Sequence, residues 1–384
     1  MRISSFLFLI SVFSASCVSR ATDESNETSS FQIRITDSLE IDYLGSLWML
    51  DYDSSSQQYL AYGNRDKEVI VLNQEGVIIS NFDFASDGPN ALGWIDALSL
   101  ENGKIGLVDR KSGFLKFDIQ GNRLWNYKLP YSFTYINGIP GRSFYPMGSE
   151  LIYLRPERSD DINFGNMASL FQEIYRLPIL EAIDTLTQET RMTMDFPETS
   201  IYRDGEYHFW MFPELLKSGK DWILSFRQEL QFYVYRENDR EIKLEKTVSL
   251  GLTDFVANKG LPFEQADDYF ELTIDQIPGS IQSIYSHGGQ TLVVYHKGVA
   301  EEIVKRYDRE DREARAKLNL EKKLFLAVFD SDFQLLQNEI PLPPGLIFTS
   351  LISSDGEILA LKDQVYFGSE QDQVIYYKLK LLED

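Results

Sequence analysis

The sequence has one cysteine and three histidines in 384 residues. A single thiol makes neither an intrachain disulfide nor a Cys-ligated metal centre, so packing alone must hold the fold. His208, His287 and His296 form no HExxH pair, and a three-histidine zinc site would need distant residues to converge, so no metal is expected. Neither a GxSxG elbow nor a GxxxxGK[ST] phosphate loop occurs, and no motif names a catalytic residue or a cofactor. Basic residues are scarce: 37 Lys and Arg stand against 59 Asp and Glu, a net charge of −22. Such a surface repels phosphate backbones and speaks against nucleic acid as a partner. The apolar stretch Phe6–Phe13 falls short of the ~20 residues that span a bilayer, and no later segment approaches that length. What is present, 43% hydrophobic and 13% aromatic residues, is ample for a folded core.

The N-terminus reads as an export signal. Met1-Arg2 leads into Phe6–Phe13, then Ser14-Ala15-Ser16-Cys17, the order of a charged start, a short apolar core and small residues. A lone cysteine behind small residues resembles the lipobox of bacterial lipoproteins, although Ser14 stands where leucine is usual. The resemblance implies that residues 1–16 are removed, that Cys17 carries lipid, and that the protein is anchored in a membrane through it. Residues 18–30 (VSRATDESNETSS) are polar and lack apolar period. Residues 17–30 are therefore expected as a lipidated flexible tether, and residues 31–384 as one domain. Without lipidation, the same segment is an ordinary secretory signal.

A weak repeat organises the domain. Five segments begin with a turn glycine, continue as an apolar run and end on a basic residue: Gly103–Arg110, Gly148–Arg155, Gly219–Arg227, Gly289–Lys297 and Gly356–Lys362. Ser56–Arg65 is a sixth without the glycine. A second pattern follows several of them, a strand, an Asp or Asn turn and another strand: Val69-Ile-Val-Leu-Asn73, Leu115-Lys-Phe-Asp118 and Leu324–Asp330. Apolar stretches such as Ser46–Tyr52, Trp94–Leu100, Tyr207–Phe212 and Ile347–Ile352 precede the turns. The repeating unit is four antiparallel strands, the signature of an all-β propeller. Six blades are expected, over residues 45–84, 91–130, 142–195, 201–250, 280–342 and 346–384. Phe31–Ile41 is a spare strand that would close the last blade and hide two sheet edges. At about 40–45 residues per blade the chain is also long enough for seven or eight. Leu252–Leu272 and Val299–Lys323 break the pattern and read as charged helices in long loops.

The lipobox, the six units and Ser86-Asp87-Gly88-Pro89-Asn90-Ala91 together resemble six-bladed β-propeller lipoproteins of Bacteroidetes, including an uncharacterised lipoprotein family of this length. The resemblance implies an outer-membrane lipoprotein, on the periplasmic or the surface side. It implies no activity, and a propeller fold does not supply one.

The basic strand ends carry the one site expectation. Rotation of a repeated blade brings equivalent positions to one face, so Arg65, Arg110, Arg155, Arg227, His296, Lys297 and Lys362 are expected on a common face as a broken basic ring, suited to an anionic group. The plainer alternative is that each basic residue pairs with a local acid. The aromatic clusters Tyr207–Trp210 and Phe232–Tyr235 either stack on sugars or fill the space between blades. Asp51-Tyr-Asp53 begins like a calcium loop but lacks the glycine and glutamate that such a loop requires. The favoured function is an anchored binding or scaffold propeller for an anionic or glycan ligand or an envelope protein. A glycan-processing enzyme with acids converging in the channel is the alternative.

Overall fold

The repeated glycines turn the chain where left-handed backbone is needed. Gly103, Gly148, Gly219, Gly289 and Gly356 all have φ between 61° and 81°. That region is open to glycine at no steric cost and matches the twist of a tight hairpin. The unit without a turn glycine places Gln57 there instead, at φ 54°. At the next hairpin of the blade, Asn73, Asp118 and Asp330 each use a side-chain oxygen to accept two backbone N–H groups of the turn that follows. Asp184 does the same in the third blade. These side chains satisfy the donors that the turn would otherwise leave free.

The computed structural model describes residues 30–65, 67–85, 87–88, 91–136, 142–158, 166–368 and 372–383. Cys17, the leader and nearly all of the tether lie outside them, as do Ser86, Pro89 and Asn90 of the Gly-Pro turn. The described residues form a six-bladed β-propeller of four-stranded antiparallel sheets. From the inside outward the first blade is Trp48–Asp53, Gln58–Tyr62, Glu68–Asn73 and Ile78–Asp83. The second spans Ile95–Glu101 to Arg123–Tyr127, the third Tyr145–Met147 to Thr190–Thr193 and the fourth Pro213–Ser218 to Glu241–Ser249. The fifth runs from Ile277–His287 to Leu335–Pro341. The sixth is Leu346–Ile352, Glu357–Lys362 and Val374–Glu383, completed on the outside by Phe31–Ile41.

Two expectations shift. Tyr207–Phe212 is not the inner strand of the fourth blade; it leads into that strand, which starts at Pro213, and Tyr207 makes only an isolated bridge to Leu261. His296 and Lys297 do not end their strand, because Gln290–Val299 continues past them.

Six apolar clusters fill the six gaps between neighbouring blades. The cluster between the third and fourth holds Phe171, Tyr202, Tyr207, Trp222, Tyr233 and Tyr235 among others. Phe232, Tyr233 and Tyr235 are fully buried. These aromatics are core, the plainer of the two readings of their sequence. The last gap closes through Phe31–Ile41. Leu39 and Ile41 pack with Met49, Ile70 and Tyr376, and the Tyr376 hydroxyl donates to Leu47 O and accepts from Met49 N, both at 2.9 Å.

Topology makes the two faces unlike. Strands alternate in direction, so the first-to-second turns of all six blades and the third-to-fourth turns of the first five share one face, and all are tight hairpins. The second-to-third connections and the links between blades share the other face. Every helical segment among the described residues lies there: Met167–Ile174, Ile201–Arg203, Phe263–Asp268, Tyr269–Leu272, Glu301–Val304, Arg312–Leu320 and Gln364–Phe367. Strand Phe31–Ile41 starts on the hairpin face, so the segment preceding it joins the propeller on that side.

Candidate functional site

Helix Arg312–Leu320 builds one wall of a cavity on the helix-bearing face. Asp311 caps it, accepting from the amides of Glu313 and Ala314. Leu318 is buried with Val299 and Val304, which fixes the inward side of the helix. Arg315 lies one turn before Leu318, and Lys322 one turn after it, so both fall on that inward side. Across from them the turn after the second strand of blade four supplies Arg227 and Gln228. Blade five supplies Gln276, Ser280 and His296, and the loop before the helix supplies Arg309.

The cavity measures about 340 Å³, and its lining contains four Arg and Lys side chains and no acid. In a chain with 59 acidic residues, that composition is a local reversal of charge. Its volume lies in the range of small-molecule sites. The guanidinium of Arg309 donates to Ile274 O, and Lys322 donates to the Asn319 side chain at 3.0 Å. Burial lowers the Lys322 pKa, and Arg309 adds to the effect. Burial also takes His296 down to about 4, with Lys322 contributing. His296 is therefore neutral at physiological pH. Its Nδ1 accepts from Gly298 N at 3.1 Å, which leaves the Nε2–H as a donor. The site offers guanidinium forks, an ammonium and neutral donors, the set that holds carboxylate or phosphate oxygens.

Of the residues expected as a basic ring, the structure brings Arg227 and His296 into this cavity. The others have partners of their own. Arg65 meets Glu68 at 2.5 Å and Asp83 at 3.4 Å, Arg110 meets Asp96 at 2.8 Å, and Arg155 meets Glu157 at 2.6 Å. Lys297 lies between Asp254 and Glu339, and Lys362 sits 5.0 Å from the centre of the Phe367 ring. Arg309, Arg315 and Lys322 were not singled out from the sequence. They sit in a stretch where charges of both signs alternate, and only the burial of Leu318 shows which of them turn inward.

The inner strands carry three carboxyl groups held above the usual range by burial, Asp51 at about 6 and Asp96 and Glu214 in the same direction. Asp51 accepts from Tyr52 N at 2.9 Å and from Leu100 N at 2.7 Å, near the hairpin end of its neighbour. Glu214, the second residue of its strand, accepts from the Ser350 hydroxyl nearer the helix face. Asp96, also the second residue of its strand, holds the Arg110 guanidinium at 2.8 Å, so each of the three is already engaged by a partner of its own. Asp53, the start of the calcium-like sequence, is taken up by Ser55, Ser56 and Gly103 in a hairpin turn. Asp204, Glu206 and His208 bring ligand-type atoms within 4.8 Å of one another, but Asp204 already holds His208 Nε2 at 2.9 Å.

Asp51 yields a pH prediction. Its folded pKa lies above the unfolded value, so the stability linked to its proton is complete below about pH 4 and is lost as pH rises through about 6. Asp51→Asn keeps an acceptor for one of the two amides and removes the enclosed charge. The variant should match wild type near pH 4 and exceed it at pH 7.5 by on the order of 1–2 kcal/mol in denaturant unfolding. A variant less stable than wild type at pH 7.5 would show that the carboxylate is needed as such.

No family model and no curated protein matches the sequence. Solved structures do match. A member of the DUF4221 family from Bacteroides vulgatus ATCC 8482 aligns over 93% of this chain and 100% of its own, with a TM-score of 0.63 at 10% identity. A protein from Bacteroides fragilis NCTC 9343, named as a candidate exported protein, aligns over 92% and 95% with a TM-score of 0.52 at 15% identity. The likeness is one of fold. At these identities the two structures share the propeller with this chain and say nothing of its ligand. Among the described residues no helix is long and apolar enough to cross a membrane.

Proposed function

We propose that this propeller is an exported, lipid-anchored binding protein that captures an anionic group in the cavity between its fourth and fifth blades. The observation that carries the reading is the acid-free lining, with Arg227, Arg309, Arg315 and Lys322 converging on one space in an acidic protein. An anion there meets fixed donors and a local field opposite in sign to its surroundings. With Cys17 as the lipidated residue, the tether joins the propeller at the hairpin face, the face opposite the cavity. The separate engagement of Asp51, Asp96 and Glu214 favours binding over glycan hydrolysis, which needs two carboxyl groups flanking one bond.

Tripolyphosphate serves as a probe of the site. Calorimetry at low ionic strength should show one site per chain, and binding should weaken steeply toward 0.5 M NaCl as the charges are screened. Absence of heat and of competition by citrate or phosphate at low salt would remove the reading. The anchor is tested by the mass of the N-terminal peptide, where an unmodified Cys17 inside a longer peptide would contradict it.

A further inference from the structure

The two walls of the cavity are held very differently. Arg227, Ser280 and His296 stand on blades four and five, and those blades share a core that includes Phe232, Val234, Ile281, Val293 and Phe329. The opposite wall is made by residues 300–323, inserted between the second and third strands of blade five. Only Val304 and Leu318 of that insertion are buried. They meet Val299 in a small cluster of their own, apart from the core between the blades. The helices of the insertion are short, four residues at Glu301–Val304 and nine at Arg312–Leu320. Arg309 and Lys305 tie it to the link before blade five, at Ile274 O and at Asp275, and both side chains are exposed. Segments with few buried apolar contacts have low local stability. A nine-residue helix that loses its packing surface does not persist in water.

This weakly held wall carries three of the four cavity cations, Arg309, Arg315 and Lys322, and docking brings them toward Arg227. The nearby acids have partners elsewhere. Asp275 faces Lys305 at 3.9 Å, Glu321 accepts from the Tyr307 hydroxyl at 2.7 Å, and Asp254 is held by Lys297 at 3.0 Å. The crowding of positive charge is felt inside: after burial, Arg309 lowers the Lys322 pKa and Lys322 lowers that of His296. Like charges therefore oppose docking on a small foothold. An anion between the walls cancels that repulsion and bonds to both sides, so it binds the docked state better than the undocked one and shifts the population toward it. Resting on the anion-binding reading, we infer that residues 300–323 form a lid that the bound anion closes. The anion enters while the lid is undocked, and its release waits for the lid to open.

Hydrogen exchange of the full chain, read by mass spectrometry, tests this with helix Met167–Ile174 as the internal reference. That helix lies on the same face but packs Leu170, Phe171 and Ile174 into the core between blades three and four. At low ionic strength and without added anion, the amides of Arg312–Leu320 should exchange at least tenfold faster than those of the reference helix. Saturating tripolyphosphate should slow Arg312–Leu320 at least tenfold and leave the reference unchanged. Lys322→Glu supplies an acid to the cavity from the lid itself, and should slow the exchange of Arg312–Leu320 with no tripolyphosphate present. An acid at the C-terminal end of a helix is otherwise unfavourable, so slower exchange in this variant comes from the cavity. Unchanged exchange of the reference helix shows that the variant is folded. Exchange of Arg312–Leu320 as slow as the reference without anion would overturn the inference, as would a faster or unchanged rate in Lys322→Glu. If calorimetry shows tripolyphosphate bound while Arg312–Leu320 exchanges as before, the lid fails and the cavity stands. If tripolyphosphate does not bind, the cavity reading falls and the lid falls with it.

Discussion

Removal of the chain through Ile41 should abolish cooperative folding. That cut deletes the outer strand of the sixth blade, which pairs with Val374–Glu383 from Phe31 opposite Glu383 to Ile41 opposite Val374. Three of its side chains, Phe31, Leu39 and Ile41, are buried. Truncating one buried Leu or Ile to Ala typically costs 2–5 kcal/mol, and a whole domain is stable by only about 5–15 kcal/mol. The cut also exposes the edge of Val374–Glu383, an invitation to aggregation. Leu39→Ala with Ile41→Ala is the graded version. It should lose roughly 4–8 kcal/mol in denaturant unfolding. Ile35→Ala, at a residue of the same strand that is 44% exposed, should stay within about 1 kcal/mol. A truncated protein with an unchanged melting transition would mean that the ring does not depend on this closure.

The second large effect is on binding. Arg227→Glu with Arg315→Glu turns two of the four cavity cations into anions. Tripolyphosphate affinity should fall at least 100-fold, about 2.7 kcal/mol, since each reversal replaces an attraction with a repulsion at close range. Both side chains are exposed, so the melting temperature should barely move. Arg65→Glu with Arg110→Glu is the comparison. Those guanidiniums are held by Glu68 and Asp96, away from the cavity, and the variant should bind tripolyphosphate like wild type. If the outer pair mattered as much as the cavity pair, capture would belong to the whole face and not to this cavity.

The architecture was readable because its signals are local. Turn glycines, Asx turns and apolar runs each act over a few residues, and one or more of them marks every blade, so even Phe31–Ile41 could be assigned to closing the ring. The inner strand of blade four was displaced because Tyr207–Phe212 is as aromatic as a strand but is buried in a link between blades. The site was legible only in part. Placing equivalent positions on one face follows from rotation, and Arg227 could be selected that way. Rotation does not say which arginines are already paired, and Glu68, Asp96 and Glu157 settle that for three of them. The other cavity cations come from an insertion in one blade, which has no counterpart in the repeat. A helical reading of residues 312–322 around Leu318 would have placed Arg315 and Lys322 together. What they face across the cavity is set by tertiary structure alone.

The most direct measurement is an anomalous difference map from crystals soaked in tungstate, an oxyanion dense enough to be located without ambiguity. The account predicts the strongest peak inside the cavity, within contact of Arg227, Arg315 and Lys322, and its loss in the Arg227→Glu, Arg315→Glu protein. A strongest peak at Arg65, Arg110 or Arg155, or an empty cavity beside occupied sites elsewhere, would contradict it.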